Sequence, residues 1–277
     1  MSKNWEQEIK DYCYKYNIPL DYLAETIYEP KVVPMIRGKA FEFSAMLVLK
    51  SILKEEEWEV TKEVMNAQLG SHDVDVKILH KPTGIVIAGE CKLASKGDYK
   101  YIPGNKLHGE YHEIRVKCMR SRTLGPKQVK TLAPAMGVDE DVLAVHNDQY
   151  RVGDFDIVVC SIGNAFYETD KDTGMFEWMP TEKGTDFLKR LGPSKKESLK
   201  DFAFRKMYLA KSSMIVVGRN TGVICTRKAC KNKTGCGFIP DYPILRLDKS
   251  LKPVNGWIEI ANSVKFFREI VKSRSGK

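Results

Sequence analysis

The chain has 277 residues, of which 43% are hydrophobic and 29% charged, and a formal net charge of +9. That is enough for one or two domains with a full core, and no stretch approaches the roughly 20 apolar residues a membrane helix requires. The amino-terminal MSKNWEQEIKDY lacks the apolar run and cleavage site of a secretory leader, so the expected location is the cytoplasm.

Apolar spacing predicts an amphipathic helix from Trp5 to Tyr16 and a shorter one from Asp21 to Tyr28, closed by Pro30 and Pro34. From Gly38 to Leu53 apolar positions recur at three and four, with Phe41, Ala45, Val48, Leu49 and Ile52 on one face, which predicts a core helix. Its one internal acid, Glu42, reads either as a first-turn complement to the helix dipole or as a functional carboxylate. Trp58-Glu59-Val60 reads as a short strand or link.

Two strand-like runs follow, Val74–Leu79 and Ile85–Cys91, joined by the turn-forming HKPTG as a β-hairpin. Strand side chains alternate faces. Asp73, Asp75 and Lys77 therefore share one face of the first run, with Val74, Val76 and Ile78 behind them. In the second, Glu90 and Lys92 share a face opposite Ile85, Ile87, Gly89 and Cys91. Acids and a lysine converge across the hairpin. Carboxylates held this close repel one another unless a hard cation takes their oxygens, and Mg2+ favours such donors. A lysine beside the metal would orient an attacking water and help deprotonate it, while the metal stabilises charge on a phosphoryl oxygen. This is equipment for phosphodiester hydrolysis.

Tyr99 and Tyr101, in a glycine-containing loop, read either as base or sugar contacts or as ordinary packing. A basic helix is expected from Gly109 to Arg122. Its Lys117, Arg120 and Arg122, with Lys127 and Lys130 beyond, lie close enough to the hairpin in sequence to neutralise phosphates. His108 and His112 are four apart, the spacing of a helical metal pair, but Gly109 and Pro103-Gly104 favour a frayed start there. Phe155–Ile162 reads as a buried strand, Thr185–Leu191 and Glu197–Leu209 as helices, SSMIVVG as a strand and the terminal segment as a helix. Strand, strand, helix, strand implies a mixed sheet covered by helices.

The seven cysteines read as core thiols or metal ligands, since an odd number in a reducing compartment argues against a disulfide framework. Cys225, Cys230 and Cys236 fall in the basic loop CTRKACKNKTGC, with spacing looser than the usual zinc pattern and no evident fourth ligand. Arg227, Lys228, Lys231 and Lys233 make that loop a candidate DNA contact. From Phe187 to Lys277 there are 21 Lys and Arg against 6 Asp and Glu, a balance of +15, whereas residues 1–186 carry 24 against 30, or −6. The division expected is therefore a core with amino-terminal helices over 1–186 and a basic polyanion-contacting region over 187–277.

Asp75, a gap of fourteen residues, then Glu90-Cys91-Lys92 resembles the PD-(D/E)xK nuclease signature, and RGKAFEF is similar to that superfamily's first core helix, which often carries an extra acid, here Glu42. The resemblance spans about Arg37 to Ile162. His72 stands where a proline often precedes the first acid, counting from Asp73, so Asp73 and Asp75 both remain candidates; similar nucleases place the acid directly before apolar strand residues, as Asp75 precedes Val76. The resemblance implies an α/β (α+β) chain with a restriction-endonuclease-like mixed central sheet flanked by helices and a basic carboxyl-terminal extension. It further implies a Mg2+-dependent endonuclease acting on double-stranded DNA. Asp75 and Glu90 would hold the metal, and Asp75, Glu90, Lys92 and Glu42 would be the catalytic set. Chain size and the lack of a P-loop favour a type II restriction enzyme working as a homodimer. The alternatives are a junction-resolving or repair nuclease and an inactive DNA-binding protein of the same fold.

Overall fold

A computed structural model describes residues 4–62, 74–104, 109–120 and 123–276. Its first helices are α1 (Trp5–Lys15), capped by the Asn4 side chain, α2 (Leu23–Tyr28) and α3 (Val32–Ile52). Helix α3 begins before Gly38 and takes in Pro34. Proline is tolerated there because the first turn of a helix has no use for its N–H groups.

Strands β1 (Trp58–Thr61), β2 (Val76–His80), β3 (Ile85–Ile102) and β4 (Tyr111–Val116) come next. The basic helix expected over Gly109–Arg122 is thus replaced by β4. Its His112, Ile114 and Val116 are buried and alternate with less buried neighbours, the period-two signature that the run of basic residues masks. Helices α4 (Pro126–Ala135) and α5 (Glu140–Val145) lead to β5 (Ile157–Ser161), buried at every position. A small ribbon of β6 (Tyr167–Thr169) and β7 (Phe176–Trp178) precedes α6 (Glu182–Arg190) and α7 (Leu199–Arg205).

The helix expected over Glu197–Leu209 stops at Arg205, and Met207–Lys211 forms β8. A strand covered on both faces shows no alternation, so its apolar run cannot be told from a buried helix by pattern. The expected strand SSMIVVG instead starts with a helical turn, α8 (Ser212–Ile215). The chain ends with β9 (Ile244–Asp248), β10 (Pro253–Val254), β11 (Trp257–Glu259) and α9 (Ser263–Ser275).

Among the described residues nine strands form one mixed sheet, running β10-β9-β4-β3-β5-β8-β11, with β2 also on β3 and β1 on β2. The expected hairpin is present, Val76 pairing with Gly89 and His80 with Ile85. Strand β3 runs parallel to β5 over Gly89–Leu93, and beyond an irregularity between Ala94 and Tyr99 its second half pairs with β4. It therefore belongs to two arrays of strands at once. Strands β8, β9 and β11 come from residues 187–277, so the basic third shares the sheet of the residues before it.

The two faces carry separate cores. Ile157 and Val159 of β5 turn with Val76, Ile78, Ile87 and Cys91 toward Phe41, Ala45 and Leu49 of α3 and Phe267, Ile270 and Val271 of α9. Val158 and Cys160 turn the other way, toward Ile114, Leu245, Phe166, Phe187 and Ala203. Burying each large aliphatic or phenyl group contributes about 1.5–3 kcal/mol. Arg274 of α9 pairs with Asp156, whose carboxylate also accepts from the Ala88 N–H at 2.8 Å, tying the terminal helix to the strand that carries the site. Among the described residues no helix is long and apolar enough to cross a membrane.

Candidate active site

Asp75 immediately precedes β2, and Glu90 and Lys92 lie on β3. Since Val76 pairs with Gly89, Asp75 arrives beside Glu90. Its Oδ2 accepts a hydrogen bond of 2.8 Å from the Cys91 backbone N–H. Behind it Cys91 is part of the core with α3, and burial pushes its thiol well above the ordinary range, so it serves as packing. Asp73 and His72 lie outside the described residues.

Glu90 is buried, at 8% exposure, and its Oε1 receives both the Lys92 ammonium at 2.6 Å and the Tyr150 hydroxyl at 2.8 Å. Lys92 also donates to the Tyr150 oxygen at 3.3 Å, closing a three-membered network. Burial alone would lower the Lys92 pKa, but Glu90 and Tyr150 more than reverse this and hold the group as an ammonium. An ammonium has no lone pair. In that state Lys92 is a hydrogen-bond donor and a fixed positive charge.

Burial, then the charge of Glu90, raises the Asp75 pKa to about 7, and Glu42 adds to the rise against the Cys91 hydrogen bond and Lys92. The site thus carries more negative charge than Lys92 compensates. Oxygen donors under that repulsion suit a hard divalent cation, so the residues present fit Mg2+. Glu42 sits in the middle of α3, not in its first turn, which removes the dipole reading. It is buried and ion-paired to Lys39 at 2.8 Å and to Lys62.

Tyr150 was not legible as a site residue, because no spacing or motif links it to Glu90. Its ring packs edge-on to Phe155 and lies under the Arg120 guanidinium at 4.8 Å, while Ile239 N–H binds its backbone oxygen at 2.7 Å. Arg120 is itself bonded to Asp154 at 2.6 Å and to the Gln149 carbonyl at 3.2 Å, so it braces Tyr150 more than it presents charge to a ligand.

The other cations divide in the same way. Lys117, Lys127 and Lys130 are exposed, the last two on α4, and Arg122 lies outside the described residues. In the cysteine loop Lys228 and Lys231 are exposed. Arg227, however, is ion-paired to Asp148 and, at 2.9 Å, to Asp241, and Lys233 donates to the Arg227 and Lys228 carbonyls. These two hold the loop. Tyr99 is packed against Phe166, Phe187 and His112 and donates or accepts at His112 Nδ1 over 2.9 Å, which makes it packing rather than a base contact. His112 is buried in β4, so it does not stand on a helix as the four-residue spacing from His108 would require of a metal pair, and His108 lies outside the described residues. Comparison with family models, with curated proteins and with solved structures gives no match.

Proposed function

We propose that this chain is a Mg2+-dependent endonuclease of double-stranded DNA, with a restriction-endonuclease-like fold and the sequence specificity of a type II restriction enzyme. The observation that carries the reading is the meeting of Asp75, Glu90 and Lys92 on adjoining strands, with Asp75 raised to about 7 by burial and its carboxylate neighbour. The mixed sheet flanked by helices supports it.

Asp75 and Glu90 would hold the cation, which when bound supplies Lewis acidity toward a phosphoryl oxygen and lowers the pKa of water. Tyr150 fixes the Glu90 carboxylate by donating to Oε1, and the Cys91 N–H fixes Asp75 by donating to Oδ2. Lys92 Nζ donates toward the reacting phosphate and offsets charge that grows there in the transition state. Glu42, locked to Lys39 and Lys62, adds negative potential behind Asp75. The exposed Lys117, Lys127, Lys130, Lys228 and Lys231 supply phosphate contacts.

Cutting both strands of a duplex calls for two such sites, so the working form is a homodimer. Exposed Trp5, Tyr12, Tyr14, Tyr22 and Tyr28 on the amino-terminal helices support association. Incubating the protein and a plasmid of known sequence with Mg2+, then mapping the ends, tests the reading. Discrete fragments with common ends are expected. A smear or cutting at branched substrates alone would replace restriction with another nuclease activity, and intact DNA in Mg2+ and Mn2+ would overturn the proposal.

A further inference from the structure

Between Val216 and Pro243, which separate α8 from β9, no helix or strand forms; apart from turns the backbone has isolated bridges pairing Gly218 with Val223 and Phe238 with Arg151. A loop this long inside a compact fold needs something besides backbone pairing to hold one shape. Its own apolar cluster is small, built on Val217, Cys225 and Cys230 with Val145, Val223 and Cys236 against it.

The fourth ligand that the loop lacks is supplied from elsewhere in the chain. His146, the residue that ends α5, meets Cys225, Cys230 and Cys236, and the four potential ligand atoms all lie within 4.8 Å of one another. In a tetrahedral zinc site with bonds of about 2.3 Å to sulfur, ligand atoms stand about 3.8 Å apart, so a contraction of about 1 Å closes the cluster onto an ion. The imidazole is already oriented. Its ring stacks on Phe238, with centroids 4.4 Å apart and planes 11° apart, and Nδ1 is hydrogen-bonded to Gln149 Oε1. That bond leaves Nε2 for a metal, the arrangement in which an outer partner fixes the tautomer of a ligating histidine. His146, Cys225 and Cys230 are buried, and all three cysteines are free thiols.

We propose that His146, Cys225, Cys230 and Cys236 bind one structural Zn2+. Three thiolates and one imidazole are soft and borderline donors that select zinc over Mg2+ or Ca2+. Four protein ligands fill a tetrahedron and leave no position for water or substrate, so the ion has no catalytic vacancy. On binding, the three thiol protons pass to solvent and the imidazole stays neutral. The ion links α5 to the loop that carries Lys228 and Lys231, and the same stretch leads through Gln149 to Tyr150.

The full chain, produced with zinc in the medium and purified without a metal-affinity step, is expected to hold one zinc per chain by elemental analysis. Removing the zinc and adding Co2+ under reducing conditions should give thiolate-to-cobalt charge-transfer absorption and intense tetrahedral d–d bands. Cys230→Ser and His146→Ala should lose at least nine-tenths of the metal, and His146→Cys should restore it. Folded wild type with less than a tenth of an equivalent of zinc and no cobalt bands would overturn the proposal, as would full zinc in all variants or an iron chromophore. Should the substituted chains fail to fold, native-state alkylation of wild type decides. Three thiols that become reactive only after zinc is chelated support the site, and a mass deficit of two hydrogens, marking a disulfide, sinks it.

Discussion

Lys92 and Asp75 stand at opposite ends of one electrostatic balance. The lysine is held charged by Glu90 and Tyr150, so its removal should affect the barrier more than binding: Lys92→Ala is expected to slow single-turnover cleavage by on the order of 100-fold while DNA affinity stays within about threefold, which titration of the same protein checks. Cleavage within about threefold of wild type would remove Lys92 from the chemistry. Tyr150→Phe deletes only the hydroxyl that orients Glu90, and a loss of about 1 kcal/mol, or roughly fivefold in rate, is expected. For Asp75 the raised pKa has a definite sign. An acid that ionises near 7 when folded and near 3.8 when unfolded contributes stability fully present below about 3.8 and lost as pH rises through about 7. The difference corresponds to about 4 kcal/mol at most. In chelator, Asp75→Asn should therefore be more stable than wild type at pH 8 and should lose that advantage near pH 4, where denaturant unfolding reads both. Equal stability at pH 8 would show that Asp75 is not under the strain described. Mg2+ should raise the wild-type midpoint more at pH 8 than at pH 5.5, because the cation competes with a proton.

Among the elements, the cysteine loop shows how poorly a count of cations reports their use. Lys228 and Lys231 project, so changing both to Gln should reduce the slope of log affinity against log salt by about 1.8, because each phosphate that a lysine neutralises accounts for close to 0.9. Arg227 and Lys233 are tied to carboxylates and carbonyls, so changing them should destabilise the loop, and a clean slope change from those two with stability intact would reverse the assignment. The turn after β5 gives a packing test. A Cβ on Gly163 would stand 2.9 Å from the Phe204 Cα, a backbone atom of α7 that cannot swing aside, so Gly163→Ala should cost about 1–3 kcal/mol in denaturant unfolding. The hairpin was legible because residues of opposite character alternate along β2 and the first part of β3, and Glu90 and Lys92 are local to the latter. Strand β4 was hidden because its outward Arg115 and the following Lys117 and Arg120 dominate the composition. Strand β8 was hidden because complete burial erases periodicity. Tyr150 and His146 were hidden for a different reason, since their partners are distant in sequence and only the folded chain brings them together.

At the scale of the whole molecule, the sheet does not respect the boundary that the charge distribution suggests. Strand β5 has β3 on one side and β8 on the other, and β4 has β9 beyond it, so both pairings reach across to residues after 186. A fragment covering residues 4–186 should therefore lack cooperative unfolding and a dispersed amide NMR spectrum, and a fragment that showed both would make the basic third an appendage. Strand β3, shared by both arrays, sets a further condition on how the protein is made. A ribosome delivers the β2–β3 hairpin before the strands that flank its neighbours, β8 and β9, and before the α9 residues that share a core with Cys91. Glu90 and Lys92 are synthesised long before they can be buried. A nascent chain stalled before α9 therefore carries Asp75, Glu90, Lys92 and the strands of the sheet without Phe267, Ile270 and Val271, which complete the core that Cys91 and α3 share behind them.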